Sequence, residues 1–329
     1  MRIFSGIQPT GKKHLGNYIG AIRQYVAGQD EGAPAIYCIV DLHAITVPWD
    51  PTVLRTNVHD TAAILVAAGL DPERCILFRQ SDVREHTELT WLLCALTAHG
   101  DLERMTQFKE KSAKQRELVS AGLFLYPVLQ VADVLAYKAD TVPVGEDQRQ
   151  HVELMREIAR RFNGRFGDHL VEPDHRIPEV GARIMDLQHP ENKMATTGGS
   201  QQGTVFVLDE PDDVRKKIRS AVTDSGSEVR RGEGKEGIAN LIEILSVARG
   251  TPMDEVESEF SGAGYGDFKA AVADAVVEYL APVRERYEEL RPDEAALEEM
   301  LAAGAEKARA IAIETLAEVR SAMGIGAKP

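Results

Sequence analysis

The 329 residues are enough for two domains with a sizeable buried core. Hydrophobic (43%) and charged (27%) residues occur in proportions ordinary for a globular protein, and no apolar run approaches the ~18 residues of a membrane span. The net charge of −14 excludes a protein that coats nucleic acid over its whole surface, because phosphate contacts require basic groups. Basic clusters at residues 160–165, 215–219 and 230–231 are compatible with a local contact but are more typical of solvated surfaces.

The cysteines and the N-terminal residues indicate the cellular compartment of the protein. Cys38, Cys75 and Cys94 are odd in number and form no CxxC pair, so the sequence favours neither a disulfide framework nor a zinc site. The N-terminal residues reach Gly6 and Pro9 too early for the apolar core of a signal peptide. We therefore expect a cytoplasmic protein.

The first part of the chain alternates short apolar runs with helical patterns. Such alternation predicts a parallel sheet covered by helices on both faces. The predicted strands are residues 3–7, 35–41, 75–78 and 141–144, and the predicted helices are residues 15–26, 51–68, 88–97, 123–137 and 152–162.

After about residue 208 the strand signals disappear. Helical patterns follow at residues 211–222, 238–248, 268–287 and 292–323, and the last of these carries one apolar stripe. The sequence thus predicts an α/β domain followed by an all-helical one. The Gly-, Ser- and Gln-rich residues 197–203 are the best candidate for a linker or mobile loop.

Residues 6–13 nearly spell a P-loop, G-x4-G-K-[ST]. In a P-loop the residue after the lysine supplies a hydroxyl to Mg²⁺, and here that residue is Lys13. Pro9 also stiffens the loop and removes one of the backbone N–H groups that would surround a phosphate. A P-loop kinase therefore remains only a distant alternative.

The residues that follow favour a different phosphate site. A turn leads into a helix at His14, Gly16 and Asn17. The N-terminus of a helix attracts anions, and Gly16 would let a nucleotide approach the helix closely. His14 and Asn17 could donate hydrogen bonds to phosphate oxygens, although a turn followed by a capped helix is common in any fold.

Further motifs carry a resemblance to one family. Ser-Gly-Ile-Gln-Pro-Thr-Gly…His-Leu-Gly-Asn-Tyr-Ile-Gly-Ala, at residues 5–21, looks like the ATP signature of tryptophanyl-tRNA synthetases, a variant of the class I HIGH motif. Other segments resemble the same family and occur in family order at residues 40–46, 103–112, 142–151, 181–185, 221–225 and 304–308. The chain is therefore identified as similar to the bacterial-type tryptophanyl-tRNA synthetases over nearly its whole length.

The resemblance implies a domain plan and an activity. Residues 1–192 would form a Rossmann-like catalytic domain, residues 193–203 a mobile signature loop, and residues 204–329 a helical anticodon-binding domain whose last helix is a candidate for packing back on the catalytic domain. The enzyme would be a homodimer that activates L-tryptophan with ATP and transfers it to the 2′-hydroxyl of the terminal adenosine of tRNA(Trp). Mg²⁺ would arrive with ATP, without a metal site held by the protein.

The resemblance also assigns residues. It places Asp133 opposite the indole N–H, and Tyr126 and Gln148 at the amino group of tryptophan. The ring slot would be lined by Phe4, Gly6, Val142 and Val144. The ATP contacts would be Gln8, Pro9, Thr10, Gly16, Asn17, Gly145, Glu146, Asp147 and Ile184, with Lys193, Met194, Ala195, Thr196 and Thr197 of the signature loop. The catalytic groups would be His14, Asn17, Lys111 and Lys193.

The role implied for Asp133 makes chemical sense. A carboxylate that accepts from an N–H forms a charge-assisted hydrogen bond, and phenylalanine has no donor to satisfy it. A site built around such a bond can reject an analogue lacking it by ~10⁴-fold. From spacing alone, a carboxylate on a helix surface would be the favoured interpretation of Asp133, but the apolar residues around it in 129–135 limit access of water. Tyr126 could equally be a core aromatic. Asp41 and His43, which alternate near a strand end, could suggest a metal site, but a hydrogen-bonded structural histidine is the simpler interpretation.

Two positions depart from the family pattern. Its second signature is Lys-Met-Ser-Lys-Ser, whereas this chain has Lys-Met-Ala-Thr-Thr, so Thr196 replaces the second lysine. Backbone N–H groups of residues 197–200 or the side chain of Lys111 could compensate. Gln130 stands where many bacterial relatives carry an apolar methionine. The alternatives that remain are a tyrosyl-tRNA synthetase and a paralogue that binds tryptophan or nucleotide without synthetic activity.

Overall fold

The computed structural model describes residues 1–31, 35–106, 119–145, 148–176, 183–195 and 199–326. Its strands are β1 (Phe4–Ile7), β2 (Ile36–Ile39), β3 (Ile76–Arg79), β4 (Thr141–Pro143) and β5 (Asp174–Arg176). The helices of the first half are α1 (Leu15–Asn17), α2 (Arg23–Gly28), α3 (Asp41–Ala44), α4 (Pro51–Ala67), α5 (Glu85–Cys94), α6 (His99–Glu103), α7 (Ala121–Leu135) and α8 (Arg149–Phe166). Those of the second half are α9 (Pro211–Arg219), α10 (Glu236–Arg249), α11 (Met253–Glu259), α12 (Tyr265–Leu290) and α13 (Glu294–Met323).

The main sheet is parallel, with β2 between β1 and β3. A single bridge between Ile3 and Thr141 brings β4 beside β1, and β5 pairs with β4 in parallel. All four residues of β2 are buried, as expected for the central strand of a sheet covered on both faces. The carboxyl ends of parallel strands meet at one edge, where Gln8, Gln80 and Val144 follow β1, β3 and β4.

Side chains alternate between two hydrophobic clusters, one on each face of the sheet. Ile3, Tyr37 and Leu77 belong to the cluster shared with α2, α4 and the later helices. Phe4, Cys38 and other alternate residues belong to the cluster shared with α5, α7, α8 and the end of α13. This period of two is the geometry of extended strands, and the predicted parallel α/β part followed by a helical part is confirmed.

The last helix, α13, packs against the outer strand of the sheet. A Cβ atom on Gly304 would overlap the carbonyl oxygen of Leu77, so the helix and β3 touch backbone to backbone. Arg79 at the end of β3 makes a bidentate ion pair with Glu298 of α13, with N–O distances of 2.8 and 3.0 Å. The division of the chain into domains at residues 192 and 204 stays a prediction.

Some short elements differ from those predicted. Asp41 and His43 begin and continue the helix α3, so the expectation that they alternate on a strand end is wrong. The strand β5 was not predicted because its three residues, Asp-His-Arg, carry no apolar signal. Helices α6 and α11 were also missed. In the part of the chain that the structure describes, no helix is both long and apolar enough to cross a membrane.

Candidate active site

A cavity of about 450 Å³ opens at the carboxyl edge of the sheet, between β1, β4 and helix α7. Its wall brings together residues that are far apart in the sequence. The predicted site residues that line it are Phe4, Gly6, Gln8, Asn17, Tyr126, Asp133, Val142, Val144, Gly145 and Gln148. Gln130, His43 and Arg176 line it as well. The wall thus contains every side chain that the resemblance assigns to tryptophan.

Asp133 is the most constrained group in this wall. It lies in the middle of α7 with 1% of its surface exposed. Its Oδ1 accepts hydrogen bonds from Nε2 of Gln80 (2.7 Å) and Nδ1 of His86 (2.6 Å). Its Oδ2 is 2.7 Å from Nε2 of His43. The alternative of a surface carboxylate is therefore excluded.

The electrostatics around Asp133 keep it ionised. Burial by itself raises the pKa of this carboxyl, but the charge of His43 and the hydrogen bonds from His43 and His86 outweigh burial and hold the pKa well below its usual range. A buried anion that lines a cavity is a strong acceptor for an N–H donor of a ligand. His43 is thus a hydrogen-bonded histidine, as expected, and it also lines the cavity beside the carboxylate.

Helix α7, which carries Asp133, presents further polar groups to the cavity. The hydroxyl of Tyr126 lies 3.2 Å from Nε2 of His151, and the ring of His43 meets the Tyr126 ring edge-on at 6.1 Å. Nε2 of Gln130 donates to Oε1 of Gln148 at 3.2 Å. Gln130 therefore adds polarity to the cavity, as its replacement of an apolar residue suggested.

The space next to Asp133 is narrow. Phe4 stacks on Tyr137 with ring centroids 5.4 Å apart and an interplanar angle of 13°. A Cβ atom on Gly6 would lie 2.9 Å from Cγ1 of Val40, so the close approach of β1 to Val40 leaves no room for a side chain at this position. The result is a slot with an aromatic wall that ends at a carboxylate.

At the mouth of the cavity, His14 and Asn17 cap α1 reciprocally. The backbone N–H of Asn17 donates to Nδ1 of His14, and the backbone N–H of His14 donates to Oδ1 of Asn17, both at 3.2 Å. Burial, with help from the charges of Lys193 and Lys13, lowers the pKa of His14 to about 4. His14 is therefore neutral near pH 7. Nε2 of His14 and Nδ2 of Asn17 are not used by the capping bonds.

Lys13 is an unusual neighbour of this cap. Only 5% of its surface is exposed, and its Nζ donates to the carbonyl of Gln8 at 2.6 Å. Burial lowers the pKa of Lys13 to about 8, although the charge of Asp60 opposes the shift. The bond fixes the backbone of the first loop, residues 8–13, against β1.

The other predicted nucleotide residues lie beside the cavity rather than in its wall. Backbone N–H of Met194 donates to the carbonyl of Ile184 at 2.9 Å, and both side chains are buried. A Cβ atom on Gly16 would sit 3.5 Å from Cβ of Ile184, so the cap and this segment are adjacent. Pro9, Thr10, His14, Gly16, Ile184, Lys193, Met194 and Ala195 do not line the cavity. Lys111, Glu146, Asp147, Thr196 and Thr197 lie outside the described residues.

Sequence analysis missed Gln80, His86 and Tyr137. Gln80 had a usable signal, because it lies two residues after the predicted strand at residues 75–78, at the edge of a parallel sheet where ligand groups gather. His86 and Tyr137 had none, since nothing in their local sequence marks them as partners of Asp133.

Residues 1–281 match the family model of class I tRNA synthetases for tryptophan and tyrosine (W and Y). The chain belongs to this family.

Relatives and solved structures of this family support the assignment. A protein of Streptomyces avermitilis named tryptophan–tRNA ligase 2 is 52% identical over 326 residues, which cover 98% of this chain and 96% of that one. The crystal structure of tryptophanyl-tRNA synthetase from Mycoplasma pneumoniae superposes with a TM-score of 0.92 at 36% identity, covering 99% of this chain and 98% of that one. The Campylobacter jejuni synthetase complexed with ADP and tryptophan gives 0.83 at 35% identity, with 99% and 100% covered.

A further feature of this class I synthetase is the arrangement of the side chains that could bind a metal ion. Among the residues that the structure describes, no group of three or more His, Cys, Asp or Glu side chains has the arrangement of a metal site. Asp41 instead accepts from the backbone and hydroxyl of Ser81.

Proposed function

We propose that this protein is a tryptophan–tRNA ligase, which forms tryptophanyl-adenylate from L-tryptophan and ATP and transfers the acyl group to tRNA(Trp). The observation that carries the proposal is the buried, ionised Asp133 at the end of an aromatic-walled slot. The relatives named above carry the same activity in their names. Tyrosine presents a phenol O–H at a different position from the indole N–H, so the two amino acids would place their donors differently against Asp133.

The first step needs no protein nucleophile. The ionised carboxylate of tryptophan attacks the α-phosphorus of ATP, the bond to the bridging oxygen breaks, and pyrophosphate leaves with its Mg²⁺. Catalysis then consists of positioning the reactants and stabilising charge on the phosphoryl oxygens. The slot, Tyr126 and Gln148 would orient the amino acid so that its carboxylate faces the nucleotide.

The nucleotide would occupy the mouth of the cavity. Gln8, Asn17 and Gly145 line this part of the wall, and we infer that they contact ATP together with the first loop and the segment around Ile184. Lys193 is exposed at the end of that segment and is the cation that we place on the phosphates.

Thr196 is the sequence feature that favours a second candidate, a paralogue that binds tryptophan without activating it. Deleting one preorganised donor to a transition-state oxygen costs about 3 kcal/mol, so loss of the second signature lysine would need compensation. Lys111 is our candidate substitute. If Lys111→Ala leaves tryptophan-dependent exchange unchanged, then Lys111 does not compensate.

In the second step the 2′-hydroxyl of the terminal adenosine attacks the acyl carbon of the adenylate, and AMP leaves. We further propose a cytoplasmic homodimer in which the helical residues 204–329 read the anticodon. The exposed side chains of Trp49 and Trp91 are large apolar groups available to a second copy.

The deciding experiment is exchange of labelled pyrophosphate into ATP with purified protein, with tryptophan, tyrosine or phenylalanine as the amino acid. We expect exchange with tryptophan and at least 10³-fold less with phenylalanine, because phenylalanine leaves Asp133 unpaired. Exchange with tyrosine in preference to tryptophan would overturn the substrate. Binding of tryptophan without exchange, in the presence and absence of tRNA, would establish the paralogue.

A further inference from the structure

Asp133 does not stand alone at the end of the slot but is held by a chain of buried side chains behind it. The three donors, His43, Gln80 and His86, come from three different elements and are at most 5% exposed. A carboxylate has about four acceptor positions. Among the described residues these donors take three of them, two on Oδ1 and one on Oδ2. The fourth position, on Oδ2, is available to a ligand in the cavity.

The chain continues from His86 to Tyr137. Nδ1 of His86 faces Asp133, and its Nε2 lies 2.5 Å from the hydroxyl of Tyr137. Both side chains are 0% exposed. Burial, followed by the nearby Cys38 and the charge of Asp133, raises the pKa of Tyr137 well above its usual range. The phenol therefore keeps its proton.

The contacts at the two ring nitrogens of His86 differ in kind. Nδ1 faces the ionised carboxylate of Asp133, which can only accept, so a proton on Nδ1 is donated to Asp133. Nε2 faces the hydroxyl of Tyr137, which can donate to it. The same logic orients metal-binding histidines, where a partner at one ring nitrogen decides the tautomer at the other.

Tyr137 also touches the substrate slot from the other side. Its ring stacks on Phe4, which lines the cavity, and meets Phe78 edge-on at 5.9 Å. One side chain thus contacts the aromatic wall of the slot and, through His86, the carboxylate at its end.

We propose that Tyr137 and His86 are positioning residues that hold Asp133 as an oriented acceptor for the indole N–H and thereby determine how strongly tryptophan is preferred over amino acids without that donor. The proposal rests on the function proposed above and adds a specificity device to it. Tyr137 acts by keeping the Nδ1 proton of His86 on the side of Asp133. Without the phenol, Nε2 loses its donor, and the imidazole can take the other tautomer or turn away.

A substrate pair separates this role from simple packing. L-β-(3-benzothienyl)alanine has nearly the shape of tryptophan, but sulfur replaces the indole N–H. Damage to the packing of the slot should weaken both amino acids alike. Damage to the orientation of Asp133 should weaken only the one that donates to it.

The test is pyrophosphate exchange by Tyr137→Phe with both amino acids. We expect kcat/KM for tryptophan to fall about tenfold, the scale of one hydrogen bond to a charged group, and kcat/KM for benzothienylalanine to change less than threefold. An equal loss for both substrates, or no loss for either, would overturn the proposal. Wild-type protein that activates neither substrate would instead contradict the proposed function.

A control variant at Tyr37 and a pair of variants at His86 test the same role of the hydrogen bond to Asp133. Tyr37→Phe removes another fully buried hydroxyl, which donates to the carbonyl of Tyr25 and has no link to Asp133, so it should leave the ratio of the two substrates unchanged. His86→Asn can keep an N–H near the position of Nδ1, and we expect it to retain more of the tryptophan preference than His86→Leu. Equal ratios for these two His86 variants, with both folded by circular dichroism, would show that the hydrogen bond to Asp133 does not set specificity.

Discussion

The two ends of the cavity differ in how they are built. At the indole end, one carboxylate meets three donors from three elements, and all of these groups are buried. At the nucleotide end, His14 caps the first turn of a helix, Lys13 donates to the carbonyl of Gln8, and backbone hydrogen bonds join residues 13–15 to residues 205–207. The indole end is therefore fixed by side-chain hydrogen bonds to one buried carboxylate, and the nucleotide end by backbone hydrogen bonds and a helix cap.

This difference matches what each end has to do. Rejecting an amino acid that lacks one N–H requires a buried acceptor whose geometry is set before the substrate arrives, since an unpaired acceptor is what makes the wrong substrate costly. Holding a phosphate requires positive charge and N–H groups near the reacting oxygens. Lys193 is the cation that we propose for this role at the nucleotide end.

The largest effect should come from replacing the carboxylate of Asp133 at the indole end. In Asp133→Asn the amide turns one acceptor into a donor that faces Gln80, His43 or His86. We expect kcat/KM for tryptophan in exchange to fall on the order of 10³-fold, because truncating one partner of a buried hydrogen-bonded charge costs a complex about 2–5 kcal/mol. Asp267→Asn, which changes an exposed carboxylate on α12, is the control. A loss below threefold would mean that Asp133 does not carry recognition.

Removing the charge of Lys193 at the nucleotide end should have the second-largest effect. We expect Lys193→Ala to lower kcat for exchange about 10²-fold, comparable to loss of one oxyanion donor, while KM for tryptophan changes less than threefold. Lys216→Ala, an exposed lysine of α9, should change neither parameter. If Lys193→Ala raised KM for tryptophan as strongly as it lowered kcat, the two ends would not be separable.

The sequence predicted the two ends unequally. The strands that form the edge were visible as apolar runs, and Asp133 and Asn17 were found because they fall in recognisable motifs. Gln80 and His86 lie 53 and 47 residues from Asp133, and Tyr137 lies 51 from His86, so their hydrogen bonds exist only once β3, α5 and α7 are packed together. No local periodicity contains such contacts. The strand β5 was missed for the opposite reason, because three polar residues at an edge give no signal.

The support behind β3 can be tested through Gly304. A side chain there would overlap the Leu77 carbonyl, so Gly304→Ala should push α13 away from β3, which carries Gln80. We expect the free energy of unfolding to fall by about 1–3 kcal/mol, the usual cost of overpacking. Gly164→Ala is the matched control, since its Cβ would meet nothing within 4 Å in the last turn of α8. That variant should be stabilised by less than the about 0.5–1 kcal/mol expected in the middle of a helix. Equal changes in the two variants would contradict close packing at Gly304.

The smallest expected effect concerns the loop at the nucleotide end. Lys13→Met keeps the length of a buried side chain but removes its charge and its bond to Gln8. We expect KM for ATP to rise three- to tenfold at pH 7, because the loss of one hydrogen bond leaves residues 8–13 less restrained. The thermal midpoint should nevertheless increase, since the pKa of about 8 shows that burial disfavours the charged lysine.

The gain in stability should depend on pH in a defined direction. The folded pKa of Lys13 is depressed, so between about pH 8 and 10.5 the unfolded chain binds more protons than the folded one, and the wild type becomes more stable as pH rises through this window. Lys13→Met lacks this contribution. Its advantage over the wild type, on the order of 3 kcal/mol before the lost hydrogen bond is subtracted, should be largest below pH 8 and vanish toward pH 10.5. An advantage that grew with pH, or a lower midpoint at pH 7, would show that the bond to Gln8 outweighs the burial of the charge, and the nucleotide loop would then be held as firmly as the indole end.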